Sequence, residues 1–218
     1  MYKGKYFDEV LEYAEGCITG KIRANKYRKK ACQRFMDDLK NDKWDFNPKD
    51  ADFVINIIEK TICHQQGEKR DGTPLRGTPF FLMTFHKFII YNLLGFKEKG
   101  TIINRFKEAL IFIPRKNVKT SFAGALSYAL GLLYRNSGSK IYVVAAALKQ
   151  TLETFGFLKY NIRNMGEHDE DGGHFHIIDN NNEHSIKAEI GGGFFELNAL
   201  AANPDSQDSF NGNLSLIH

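Results

Sequence analysis

Residues 108–134, EALIFIPRKNVKTSFAGALSYALGLLY, constrain the fold more than any other stretch. An apolar run over residues 109–113 leads into a short basic loop, then Lys119-Thr120, then an Ala/Leu-rich run. Strand, loop, Lys-Thr, helix is the plan of a phosphate-binding loop. Backbone N–H groups and the positive helix end cradle phosphate, the lysine reaches the outer oxygens, and the hydroxyl holds Mg²⁺. The strict spacing G-x-x-x-x-G-K-[ST] is not kept, because its glycines would fall at Ile113 and Val118. Without the motif, the same residues read as an ordinary buried strand and an amphipathic helix, with Asn117 as N-cap and Lys119 in solvent.

The texture changes near Gly100. Residues 99–218 alternate apolar runs with helical ones, which predicts βαβ units, and hence a mainly parallel sheet flanked by helices. Strands are expected over 109–113, 140–147, 175–178, 185–190 and 194–197, and helices over 119–134 and 149–165. Residues 203–213 are a polar loop. A further strand opens at Leu214, and the chain stops partway into it, so a truncated domain is the expectation. Residues 1–98 form the other expected domain, a helical region. Its apolar stripes are Tyr6-Phe7-Val10-Leu11-Tyr13-Ala14, Ala31-Cys32-Phe35-Met36-Leu39 and Phe53-Val54-Ile57-Ile58-Ile62. A turn-rich loop over 67–79 precedes a buried helix ending at Gly95.

At 42% hydrophobic residues, the 218-residue chain can bury a sizeable core. Its three cysteines, Cys17, Cys32 and Cys63, are odd in number and lack a C-x-x-C pair. That pattern favours a reducing setting over a disulfide framework or a zinc site. The N-terminus is polar, unlike a signal peptide, and the longest nearly apolar run, 122–133, is too short for a bilayer. A soluble intracellular protein is expected. The net charge of +4 hides an asymmetry: residues 1–163 hold 29 basic and 16 acidic residues, and 164–218 hold 1 and 10. The basic part suits nucleic acid and the acidic part repels it.

The run Ile113-Pro114-Arg115-Lys116-Asn117-Val118-Lys119-Thr120 resembles the variant Walker A loop of bacteriophage terminase large subunits, usually P-R-K-N-G-K-[ST] after an apolar strand. Other segments resemble the same family in the same order. They are Gly20-Lys21-Ile22 with Ala31-Cys32, the adenine-side segment 79–96, Val143-Val144-Ala145-Ala146-Ala147 with Gln150, and Ala201-Ala202-Asn203-Pro204-Asp205-Ser206-Gln207-Asp208 ahead of the Walker B strand. The resemblance covers essentially the whole chain and implies a P-loop NTPase-type α/β ATPase core with an N-terminal helical region.

It implies ATP and Mg²⁺ as cofactors. Pro114, Arg115, Lys116, Asn117, Val118, Lys119 and Thr120 would line the phosphates, and Phe85 and His86 the adenine. Thr120 would be the Mg²⁺ ligand, and Arg115 the one catalytic candidate inside the loop. The family's motors package double-stranded DNA with a small terminase subunit and a portal, as oligomers in the bacterial cytoplasm and without a membrane. The sequence departs from the family pattern in three ways. Val118 replaces the usual glycine and His86 the expected glutamine. The chain also stops before the Walker B Asp-Glu pair and the nuclease domain, so enzymatic turnover stays open. A remnant acting as a nucleic-acid or motor-subunit interaction module is the alternative.

Two further groups carry weaker signals. The basic run from Lys21 to Arg34 is either a solvated helix face or a DNA-phosphate contact. His168, His174, His176 and His184, with Asp169, Glu170 and Asp171, invite a metal reading, but no third fixed ligand has recognisable spacing.

Overall fold

The computed structural model describes residues 3–114, 117–201 and 214–217. They form two compact units, one of residues 1–56 and 81–112, the other of 57–80 and 113–218.

The first unit holds α1 (Phe7–Thr19), α2 (Lys26–Asp38), β1 (Trp44–Phe46), the start of α3 (Lys49–Thr61), α4 (Thr84–Gly95) and β2 (Phe96–Glu98). Of the expected stripes, α1 buries Val10, Tyr13 and Ala14, joined by Cys17, and α2 buries Cys32 and Phe35, while Phe7, Leu11, Ala31 and Met36 are half-buried. Phe35 is the hub, with ring centroids 5.5 Å from Phe96, 5.6 Å from Phe88 and 6.3 Å from Phe46. β1 and β2 pair antiparallel, Trp44 opposite Glu98. Buried Tyr91 donates to Asp52 Oδ1 at 2.5 Å, and the Tyr6 amide donates to the Tyr91 hydroxyl at 3.0 Å. This pair ties α4 to α3 and to the chain ahead of α1, and satisfies the buried Tyr91 hydroxyl as both donor and acceptor.

The second unit is built on a five-stranded sheet. Its elements are α5 (Lys119–Tyr134), β3 (Ser139–Ala145), α6 (Leu148–Asn164), β4 (Phe175–Asp179), β5 (His184–Ile190), β6 (Gly193–Ala201) and β7 (Leu214–Ile217), with strand order β4-β5-β6-β3-β7. α5 and α6 pack on the face carrying Ile141, Val143, Phe195 and Leu197. Gly131 makes the approach possible: a Cβ there would clash with the Phe195 ring and stand 2.9 Å from Ile141 Cδ1. Gly124 does the same between the helices, where a Cβ would meet Phe157 Cδ1 at 2.8 Å.

The sheet is mixed, where a mainly parallel one was expected. β3 runs parallel to β6 and β7, but β4-β5 and β5-β6 are antiparallel. The connections decide this. Four residues link β4 to β5 and the pair Gly191-Gly192 links β5 to β6, whereas a parallel crossover needs a dozen or more. The strand expected over 109–113 is absent too. That segment runs without a ladder, with Leu110 95% and Phe112 93% exposed. Apolar composition alone does not make a strand; a neighbouring backbone must pair with it. The remaining expected strands and helices of this unit are present, with ends shifted by a few residues.

Residues 62–80 lie along α6. The Asn161 side-chain oxygen accepts from the Cys63 amide at 2.7 Å, Gln65 Nε2 donates to the Gly156 carbonyl at 3.4 Å, and Phe80 meets Phe157 with centroids 6.4 Å apart. The Asp71-Gly72 turn forms as the residues demand, with the Gly72 amide donating to Lys69 O at 3.0 Å.

Candidate functional site

The start of α5 stands at the carboxyl end of the parallel strands. α5 has 16 residues and β3 has 7, so both run about 23–24 Å. Only residues 135–138 connect them, so the helix N-terminus returns to the end where β3 finishes and α6 begins. In open α/β sheets that end, outside the strand carboxyl termini, is where ligands bind.

Val118 is the helix N-cap, at φ 49° and ψ 27°, where Asn117 was expected. It is the one non-glycine residue at positive φ among the described residues. A β-branched side chain disfavours this left-handed region, so the position is held by its surroundings. Its carbonyl accepts from the Phe122 amide at 2.8 Å, and buried Phe122 anchors the first turn. Asn117 turns its side chain back to donate to Pro114 O at 3.3 Å. The Val118 side chain makes no cap hydrogen bond, and no acidic residue stands in the first turn.

These features fit a nucleotide phosphate. A helix start whose N-cap side chain makes no hydrogen bond leaves first-turn amides without an acceptor among the described residues, and the helix end places a partial positive charge beside them. Lys119 is exposed there and Thr120 half-buried, so ammonium and hydroxyl both stand at the helix mouth. The residues that would hold phosphate are Asn117, Val118 and Lys119 through backbone and ammonium, with Thr120 as the Mg²⁺ ligand. Bound Mg²⁺ would neutralise phosphate charge there. Arg115 and Lys116 lie outside the described residues.

Phe85 and His86 belong to the other unit, on α4. His86 is 1% exposed, and its Nδ1 accepts from the Met83 amide at 3.3 Å. It thereby satisfies one of the free donors at the start of α4, a local role that an imidazole three residues into a helix performs as glutamine does. Burial pushes its pKa down to about 4, so it is neutral at physiological pH. The Phe85 ring is 3.9 Å away, tilted by 44°.

The histidines near the acidic turn are partnered by carboxylates. His174 Nδ1 is 3.0 Å from Glu167 Oε2, His176 Nδ1 2.5 Å from Asp169 Oδ2, and His184 Nδ1 2.8 Å from Asp179 Oδ1. The His176 hydrogen bond holds the Asp169 carboxyl below its ordinary range, and Lys159 does the same for Asp179. Among the described residues no group of three or more His, Cys, Asp or Glu side chains is placed to hold a metal ion. All three cysteines are free. No helix of the described residues is long and apolar enough to cross a membrane.

A groove of about 510 Å³ runs along the C-terminal half of α6, between Gln65, Gly156, Lys159, Tyr160, Arg163 and Asp179. Its wall depends on residues 62–80 folding back onto α6, a contact nearly a hundred residues distant in the chain for Cys63 and Asn161.

No curated protein matches the chain. Among solved structures it is similar to the crystal structure of the HK97 bacteriophage large terminase, at 17% identity and a TM-score of 0.53 over 77% of this chain. The chain spans 30% of the length of that protein. At such identity the likeness is one of fold. Residues 84–218 match the family described as terminase large subunit, ATPase domain, and the chain belongs to that family.

Proposed function

We propose that the chain binds Mg-ATP at the start of α5, as the nucleotide-binding part of a motor that packages double-stranded DNA. The observation carrying this reading is the start of α5 at left-handed Val118, whose side chain makes no cap hydrogen bond, with Lys119 and Thr120 in the first turn. Backbone amides orient the phosphates, the Lys119 ammonium neutralises their outer oxygens, and the Thr120 hydroxyl ligates Mg²⁺. Arg115 is the cation proposed to meet charge developing on the terminal phosphate. Phosphoryl transfer also requires a carboxylate to orient water. The proposal for this chain concerns nucleotide binding.

Membership of the family supports DNA, a small terminase subunit and a portal as partners, and a P-loop NTPase-type core. Isothermal titration with Mg-ATP tests the reading. Saturable binding in the wild type that is lost in Lys119→Ala is the expected result. Equal heats in both proteins would refute it and favour the interaction-module alternative.

A further inference from the structure

α2 is charged against its own dipole. α1 starts with Asp8 and Glu9 and α3 with Asp50 and Asp52, acids where the positive helix end favours them. α2 has no acid in its first turn and begins Lys26, Tyr27, Arg28, Lys29, Lys30. Between Glu15 and Asp37 the chain carries seven cations, Lys21, Arg23, Lys26, Arg28, Lys29, Lys30 and Arg34, and no carboxylate. All seven are exposed. Among the described ion pairs only one takes any of them, Lys21 with Glu12 at 3.2 Å. Lys26–Lys30 and Lys30–Arg34 are also like-charge pairs one helical turn apart, which oppose helix formation.

Folding does not need this arrangement. α2 is held by Cys32 and Phe35 on its other side and by Asn25, whose side chain accepts from the Arg28 amide at 2.9 Å. Arg34 stacks its guanidinium 4.8 Å from the Phe106 ring centroid, while Lys26 and Lys30 take no carboxylate among the described ion pairs and present their charges outward. At 100° per residue Lys26, Lys30 and Arg34 share one arc about 80° wide and about 12 Å long. Tyr27 flanks it, 69% exposed, with Lys26 Nζ 5.0 Å from its ring.

We propose that this face of α2, with Lys21 and Arg23 in the turn before it, grips the sugar–phosphate backbone of duplex DNA without reading sequence. The inference rests on the DNA-packaging reading for its choice of polyanion. Duplex DNA carries one charge per about 1.7 Å of axis, so the arc faces several phosphates at once. A single-strand platform needs a succession of aromatic faces, and this arc offers Tyr27 alone. A membrane-surface helix needs an exposed apolar face, whereas the Cys32 and Phe35 side of α2 is already buried.

The test is fluorescence anisotropy of a labelled duplex of about 20 bp with the full chain, without nucleotide, across a salt series. Log affinity should fall linearly with log salt, by about 0.9 per phosphate contact. K26Q/K30Q/R34Q should stay folded, bind at least tenfold more weakly, and show a slope lower by about three. A duplex of scrambled sequence should bind equally. Lys119→Ala should keep DNA binding, and the triple variant should keep Mg-ATP heats, so failure of either proposal is separable from the other. No binding by the wild type, or an unchanged slope in the triple variant, overturns the inference. Tighter binding to phosphatidylserine vesicles or to a single-stranded 20-mer than to the duplex also overturns it.

Discussion

The carbonyl of Val118 accepts the Phe122 amide at 2.8 Å while Val118 itself sits at φ 49°, so one residue both closes the loop and opens α5. The first helical bond and the buried Phe122 ring lock a conformation that valine by itself disfavours. Strain therefore falls at the position where the phosphate site is proposed.

Replacing that valine tests the strain. A left-handed L-residue costs about 1–2 kcal/mol, which glycine avoids, while glycine loses about 0.5–1 kcal/mol more chain entropy on folding. Val118→Gly should therefore raise stability by up to about 1 kcal/mol, read as a higher urea midpoint, and should tighten Mg-ATP binding. Val118→Ala keeps a Cβ and should not reproduce either gain. Loss of stability in Val118→Gly would show that valine is comfortable there.

Gly131→Ala sets helix propensity against packing. Propensity alone predicts a gain of about 1 kcal/mol in the middle of α5. A Cβ at this position would clash with Phe195 and stand 2.9 Å from Ile141 Cδ1, so packing predicts a net loss of about 1–3 kcal/mol. A lowered Tm supports the packing account, and an unchanged or raised Tm contradicts it.

His86 gives stability a pH dependence. The folded chain holds this imidazole neutral down to about pH 4, while the unfolded chain protonates near the ordinary histidine value of 6.5. The unfolded state therefore binds more protons in that window, and stability falls as pH drops from 6.5 toward 4. His86→Gln retains an acceptor for the Met83 amide and should flatten this part of the curve. An identical acid limb in both proteins would assign the effect to other groups.

Asn161 joins α6 to residues 62–80. Its side-chain oxygen accepts from the Cys63 amide at 2.7 Å, and its amide donates to Phe157 O at 3.0 Å, with the residue fully buried. Asn161→Leu should cost about 1–3 kcal/mol and speed hydrogen exchange at the Cys63 amide. Exchange at Cys63 equal to the wild type would mean that the contact is not what holds this segment.

Long apolar runs made β3 and α5 legible, since both are buried on nearly every side, and periodicity made α6 legible through its single buried face. The sheet's direction was legible as well: Asn180 and Gly191-Gly192 mark connections too short for parallel strands, and alternation of element types outweighed them. Residues 109–113 misled for a different reason, since strand formation depends on a partner backbone that composition does not reveal. In the proposed site, Lys119 and Thr120 stood out by motif. The left-handed backbone at Val118 could not be read from a residue type that seldom adopts it, and His86 as a cap resembled one more residue of an apolar helix.

Amide hydrogen exchange across the start of α5, with and without Mg-ATP, tests the central claim where it applies. Protection should appear at Asn117–Ser121 in the wild type and vanish in Lys119→Ala. Nucleotide protection confined to other segments, or none at saturating Mg-ATP, would contradict a phosphate site at this helix terminus.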